Sequence, residues 1–240
     1  MVADTDGAAY TDTVRRNIDC ARSAMTSAAE RSGRDPRDIA LMGVSKFQPI
    51  EAICAAFNCG LKLFGENRVQ EREEKSALWT GDGAVWHMIG HLQRNKVRKA
   101  VALFDCIESV DSVELADSIE RIISENIEVL YPILIEVNVS GESSKEGVPP
   151  EVVFVLLEDI LERCPHLTVE GFMTIGPNVS DRRAIRESFV SLRNLRDEAR
   201  KRFGIPLPHL SMGMSGDYEI AIEEGSTIVR VGTGIFGLRH

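Results

Sequence analysis

Lys46 has a reactive amine and lies where an unpaired charge is unfavourable. It comes just after residues 39–44, a continuous apolar run that predicts a strand covered on both faces. An ammonium group buried there must either pair with a carboxylate or have a lowered pKa. A lowered pKa is what an amine needs to attack an aldehyde and form a Schiff base, whereas an ion pair would be structural. Position alone leaves both interpretations open.

Two segments near the end of the chain are rich in glycine and hydroxyl residues. They are residues 211–216, which include Ser211 and Ser215, and residues 232–234, which include Gly232 and Thr233. Small residues let a backbone approach a ligand closely and present N–H donors, and hydroxyl groups add further donors. Ordinary turn chemistry, with Asp217 capping the next helix, is the alternative. Taken together with Lys46, the two segments predict a ligand that is an aldehyde carrying a phosphate.

Arg230 lies two residues before the second of these segments, at the end of an apolar run. We expect it to point inward beside the phosphate. It would contact either the phosphate or the far end of a flat ring. The alternative is an ion pair with Glu223 or Glu224.

A metal site is not predicted. His87 and His91 have the spacing of two ligands on one helix face. However, residues 85–89 are predicted to be a strand, so that face would not form. The five cysteines are odd in number and include no CxxC pattern, which argues against a disulfide framework or a zinc knuckle.

Eight short strands alternate with helices along the chain, and one helix, residues 11–32, precedes them. The predicted strands are residues 39–44, 62–64, 85–89, 104–108, 131–139, 167–172, 209–211 and 227–231. This alternation predicts a (β/α)8 TIM barrel, an α/β fold, with an extra N-terminal helix. A doubly wound open sheet is the alternative, although no GxGxxG follows the first strand.

The barrel would form a single domain over residues 1–240, with residues 1–35 as an N-terminal extension and helix. Barrel active sites lie at the C-terminal ends of the strands, and phosphate often binds after strands seven and eight. Lys46 would then lie across the barrel from the two glycine-rich loops.

Composition narrows the class of protein. The chain has 240 residues, 28 Lys+Arg against 37 Asp+Glu and a net charge of −9, which argues against a nucleic-acid binder. No stretch approaches the roughly 20 apolar residues of a membrane span, and the acidic, polar N-terminus does not resemble a signal peptide. We therefore predict a cytoplasmic protein. The basic stretch at residues 94–99 is interpreted as a solvated helix face, with a partner surface or a second phosphate site as alternatives.

Motifs spread along the chain resemble those of the pyridoxal-phosphate homeostasis proteins, the single-barrel relatives of the alanine racemase N-terminal domain. They are GVSKFQP (43–49), FGENRVQE (64–71), WHMIGHLQRNK (86–96), VNV (137–139) with SKEG (144–147), GFMT (171–174), LSMGMS (210–215) and VRVGTGIFG (229–237). The motifs keep the family order and spacing from the first strand to the last residues.

The resemblance implies roles for particular residues. Lys46 would be the Schiff-base lysine for pyridoxal 5′-phosphate (PLP), and Arg230 would face the pyridine nitrogen. The resemblance further implies phosphate contacts from Ser211, Ser215, Gly232 and Thr233, and places Asn67 and His87 at the mouth of the barrel.

The resemblance also bears on activity. An arginine at the ring nitrogen opposes its protonation and weakens the ring as an electron sink. Racemases of this fold add a second domain with an acid/base tyrosine, whereas this chain ends at His240, just after the phosphate loop. We therefore predict a monomeric PLP carrier without a committed catalytic reaction and with no catalytic residue, which delivers the cofactor to other proteins such as apo PLP enzymes. A racemase-like PLP enzyme and a Schiff-base aldolase are the alternatives.

Overall fold

The strands form a closed parallel barrel. The structure, a computed structural model, describes residues 5–125, 130–142 and 144–237. Within these residues eight strands follow one another around the barrel, and the last pairs with the first. They are β1 (Ala40–Val44), β2 (Leu63–Glu66), β3 (Val85–Met88), β4 (Cys106–Val110), β5 (Tyr131–Glu136), β6 (Leu167–Met173), β7 (His209–Met214) and β8 (Ile228–Val231). The predicted (β/α)8 barrel is confirmed, and the open doubly wound sheet is excluded.

Helices surround the barrel between the strands. They are α1 (Thr5–Arg31), α2 (Ile50–Asn58), α3 (Val69–Ser76), α4 (Val97–Leu103), α5 (Val113–Ile123), α6 (Val153–Arg163), α7 (Arg182–Phe203), α8 (Tyr218–Glu223) and α9 (Thr233–Phe236). Several boundaries differ from the predictions. Strand β4 lies two residues further along the chain than predicted, β5 ends at Glu136 rather than at residue 139, and α1 begins at Thr5 rather than at residue 11. Strand β7 continues to Met214, and the predicted glycine loop after β8 begins the helix α9. A four-residue helix containing a glycine is too short to show helical periodicity in the sequence.

The strands bury two different surfaces because alternate side chains point to opposite faces. Outward side chains pack against the helices in the main core, which contains large residues such as Phe64, Phe172 and Phe189. Inward apolar side chains form two small clusters, one of Met42, Ile89 and Ile228 and one of Cys106, Leu134 and Met173. Apolar side chains therefore fill only part of the barrel interior.

Helix α1 packs against α2, α8 and α9. The Asn17 amide donates a 2.9 Å hydrogen bond to the Ile235 carbonyl, which fixes α9 against α1. The predicted N-terminal helix thus supports the loop after β8 from outside. Among the described residues, no helix is long and apolar enough to cross a membrane.

Candidate functional site

Lys46 lies at the centre of a tight turn at the end of β1. The Gln48 N–H donates to the Ser45 carbonyl at 3.0 Å, which closes a four-residue turn with Lys46 and Phe47 in the middle. Phe47 has φ 61°, the positive value that the third residue of a type II turn requires. Ser45 is fully buried and its hydroxyl donates outward to Glu66 at 2.7 Å. Lys46, the next residue, is half-buried.

The glycine loop after β8 lies next to the Lys46 turn. Barrel closure pairs β8 with β1, with Gly43 opposite Val231. A Cβ placed on Gly232 would come within 3.5 Å of Val44. The expectation that Lys46 and this loop lie across the barrel from one another is wrong, because the last strand of a closed barrel pairs with the first.

The loops after β7 and β8 together form a small cradle of donors. The Ser215 hydroxyl lies 3.5 Å from the Gly234 N–H. Thr233 and Gly234 are exposed in the first turn of α9, where N–H groups have no preceding carbonyl of the helix to bind. A Cβ at Gly234 would overlap Val231, at 2.8 Å, and would make ordinary contact with Ser215, at 3.6 Å from its hydroxyl. A glycine therefore keeps the cradle open, and its donors suit a phosphate.

Asp217 adopts a different role from the predicted helix cap. Its carboxylate turns back and accepts a 2.6 Å hydrogen bond from the Met214 N–H, so it braces the loop after β7 rather than the first turn of α8. Burial raises the pKa of Asp217, while this hydrogen bond and the charge of Arg230 oppose the rise.

Arg230 points into the barrel and is 4% exposed. Its guanidinium donates to the Ser211 hydroxyl and to the Thr174 carbonyl, each at 2.6 Å. The alternative ion pair with Glu223 or Glu224 does not form, because those carboxylates bind arginines of α1 and α7 on the outside of the barrel. The inward direction predicted for Arg230 agrees with the structure.

A chain of hydrogen bonds extends from Arg230 through the interior of the barrel. Ser211 is fully buried and donates to Glu108 Oε2 at 2.5 Å, while His87 Nδ1 lies 2.6 Å from Glu108 Oε1. Burial would raise the pKa of Glu108, but the hydrogen bond and charge of His87, with the charge of Arg230, hold that pKa below its ordinary value. The Ser211 hydroxyl is thus engaged with Glu108 and Arg230, and its phosphate contact stays a prediction.

Glu136 is a second buried carboxyl near Arg230. It ends β5 and is 4% exposed. Burial raises its pKa to about 7, against the lowering effect of the Arg230 charge. The sequence analysis did not single out Glu108 or Glu136. Each is an acidic residue within a largely apolar strand. Because alternate residues of a strand point to the same face, its position could have indicated that the carboxyl points into the barrel.

Asn67 and the loop after β3 lie to one side of the mouth. Asn67 is half-buried and lines a groove of about 640 Å³ together with His91 and Lys96. His91 is exposed, whereas His87 points into the barrel, so the two do not share a helix face. His91 does approach the carboxylates of Asp111 and Glu146, at 3.8 and 3.9 Å, but exposed groups of this kind are common without a metal ion.

The basic stretch at residues 94–99 forms part of the outer surface. Arg98 pairs with Glu125 at 2.6 Å, and Lys99 pairs with Glu73 at 2.7 Å. These contacts favour the interpretation as a solvated helix face.

Known proteins are similar to this chain in sequence and in fold. The profile of the family "Alanine racemase, N-terminal domain" matches residues 11–240. A pyridoxal phosphate homeostasis protein from Aquifex aeolicus is 47% identical over 212 residues, which cover 88% of this chain and 92% of the relative. The chain belongs to the pyridoxal phosphate homeostasis protein family. The resemblance predicted from its motifs is confirmed.

Solved structures place this family member among related barrels. The PipY protein of Synechococcus elongatus PCC7942, solved with PLP bound, superposes with a TM-score of 0.83 at 34% identity, covering 93% of this chain and all of that one. An alanine racemase from Clostridium difficile superposes with a TM-score of 0.73 at 15% identity, covering 95% of this chain and 57% of the racemase. The second likeness shows a shared fold alone.

Proposed function

We propose that this protein binds PLP at the barrel mouth, covalently through Lys46, and serves in intracellular PLP homeostasis. The proposal rests chiefly on one observation: the Lys46 turn lies directly beside the donor cradle of Ser215 and Gly232–Gly234. A lysine amine next to a phosphate cradle suits an aldehyde that carries a phosphate. The naming of the Aquifex relative and the PLP bound to PipY support the same ligand.

The residues of the mouth have separate tasks in this proposal. Lys46 supplies the amine that holds the ligand, and Ser215, Gly232 and Thr233 hold its phosphate. When bound, PLP supplies an aldehyde carbon that is electrophilic toward amines. Asn67 borders the mouth on the side of β2, and His87 is held in place by Glu108.

Arg230 favours binding over catalysis. An arginine stays protonated, so placed at a pyridine nitrogen it donates a hydrogen bond and opposes protonation of that nitrogen. The ring then withdraws electrons weakly, which disfavours carbanion chemistry at a bound amino acid. The hydrogen bonds from Arg230 to Ser211 and Thr174 hold the guanidinium inside the barrel, which supports this role. We therefore propose a carrier with no committed reaction, which passes the cofactor to apo PLP enzymes. A cytoplasmic location and a monomeric state remain predictions of the sequence.

Solvent-deuterium exchange distinguishes the carrier from a racemase-like enzyme, the alternative that the shared racemase fold keeps open. The PLP-loaded protein is incubated with alanine in heavy water, and deuterium at the α-carbon is measured by NMR. A carrier gives exchange no faster than the Lys46→Ala variant with equal PLP. Exchange at enzymic rates that Lys46→Ala abolishes would establish the racemase-like activity instead.

A transfer assay tests delivery. The loaded protein is mixed with an apo PLP enzyme, and recovery of that enzyme's activity is followed beside an equal concentration of free PLP. Recovery is expected with the loaded wild-type protein, and its absence would contradict the carrier function.

A further inference from the structure

The two peptide groups that flank Lys46 are both held by side chains of α3. On one side, Lys75 Nζ donates to the Ser45 carbonyl at 2.8 Å. On the other side, the Phe47 N–H donates to Glu71 Oε2 at 2.9 Å. Glu71 and Lys75 are four residues apart, so they lie one above the other on the same face of α3. One turn of a single helix thus contacts the backbone on both sides of Lys46.

Lys75 is itself firmly fixed. It is 9% exposed and pairs at 2.5 Å with Oε1 of Glu66, which is fully buried at the end of β2. The same oxygen accepts the Ser45 hydroxyl at 2.7 Å. Lys75 Nζ also lies 3.7 Å from Glu71 Oε2. The contacts therefore connect α3, β2 and the end of β1 through one continuous network.

The turn that this network holds is one that its residues do not prefer. Phe47 has φ 61°, in the left-handed region that non-glycine residues rarely adopt. Side chains with a Cβ enter this region only where their surroundings fix the backbone. The hydrogen bond from the Phe47 N–H to Glu71 is such a fixing contact. Without it, we expect the backbone at residues 46 and 47 to sample other conformations.

We propose that Glu71 and Lys75 are positioning residues that hold the Lys46 turn so that Nζ faces the barrel mouth. This role rests on the proposed function of Lys46. In the step that they assist, Lys46 Nζ bonds to the aldehyde carbon of PLP, and the aldehyde oxygen leaves as water with the two amine protons. Glu71 and Lys75 act through the backbone at Lys46. Their loss therefore slows formation of the covalent bond and leaves the phosphate cradle unchanged.

The first arm of the test uses the protein without cofactor. Glu71→Ala removes the acceptor of the Phe47 N–H, whereas Glu71→Gln keeps an oxygen that can accept it. Glu73→Ala is the matched control, since Glu73 lies on the same helix and pairs with Lys99 on the outer surface. Hydrogen exchange read by NMR should be about tenfold faster at the Phe47 amide in Glu71→Ala and close to wild type in the other two variants. An unchanged Phe47 amide in Glu71→Ala would overturn the proposal.

The second arm adds PLP. In stopped-flow absorbance, Glu71→Ala should slow covalent linkage by about tenfold or more, and Glu71→Gln should restore most of the rate. In a Lys46→Ala background, Glu71→Ala should leave the PLP affinity unchanged. A lower melting temperature with a normal linkage rate would show a purely structural role, and an equal loss of affinity without Lys46 would show an effect on the cradle. Either result overturns the proposal. A wild-type protein that does not bind PLP would instead refute the proposed function and leave the exchange result standing.

Discussion

The buried carboxyl of Glu136 makes stability depend on pH in a way that one substitution should remove. Its pKa in the folded protein is about 7, above the ordinary value of 4.5, because burial disfavours the charged form. The stability that the neutral carboxyl contributes is therefore fully present below pH 4.5 and is lost as the pH rises through 7. The difference of about 2.5 pH units corresponds to about 3 kcal/mol of unfolding free energy.

Glu136→Gln keeps the shape of the side chain and removes its titration. The effect of an amide at this position on the unfolding free energy does not depend on pH. Comparing the stability of wild type and variant at two pH values therefore isolates the contribution of carboxyl titration. As the pH rises from 4.5 to 8, the unfolding free energy of the variant should therefore increase by about 3 kcal/mol relative to that of the wild type. For a chain of this length that is a relative shift in melting temperature of roughly 6–12 °C.

Thermal denaturation of both proteins at pH 4.5, 6 and 8 measures this effect. Glu162→Gln, on the exposed surface of α6, is the control and should follow the wild type at all three pH values. A melting-temperature difference between wild type and Glu136→Gln that is the same at pH 4.5 and pH 8 would refute the reasoning. It would mean that the Glu136 carboxyl has an ordinary pKa despite its burial.

Three further substitutions test other parts of the site. Arg230→Met removes the donor of the buried Ser211 hydroxyl and Thr174 carbonyl, together with a charge near Glu108 and Glu136, and should lower the unfolding free energy by about 1–3 kcal/mol in chemical denaturation; an unchanged unfolding free energy would contradict the network. Gly213→Ala places a Cβ 2.6 Å from a neighbouring side chain at φ 94°, so it should lower the unfolding free energy by about 1–3 kcal/mol, whereas Gly216→Ala, which meets nothing within 4 Å, should change it far less. Ser215→Ala should weaken PLP binding by about tenfold in a fluorescence titration, and an unchanged affinity would remove Ser215 from the phosphate cradle.

The order of elements could be predicted from the sequence because each strand is a short apolar run followed by a helical pattern. The chemistry-bearing residues at strand ends, such as Lys46 and Arg230, could be placed at the mouth for the same reason. The position of Lys46 relative to the last loop was predicted wrongly, although the predicted closed barrel already implies that its last strand pairs with its first.

Contacts between distant parts of the chain could not be predicted from the sequence either. Glu108 binds Ser211, 103 residues away, and neither residue type alone indicates a partner at that separation. Lys75 and Glu71 lie within a run of charged residues on α3 that looks like a solvated helix face. Only the packing of α3 against the end of β1 shows that they hold the backbone around Lys46.

Borohydride reduction tests the central claim that PLP is held covalently at Lys46. The purified protein is saturated with PLP, its visible absorbance band is recorded, and the reduced protein is digested and mapped by mass spectrometry. We predict that reduction bleaches the band and fixes one pyridoxyl phosphate group on the peptide containing Lys46, and that Lys46→Ala gives neither result. Modification of another lysine at full occupancy, or a visible band that persists in Lys46→Ala, would contradict the account.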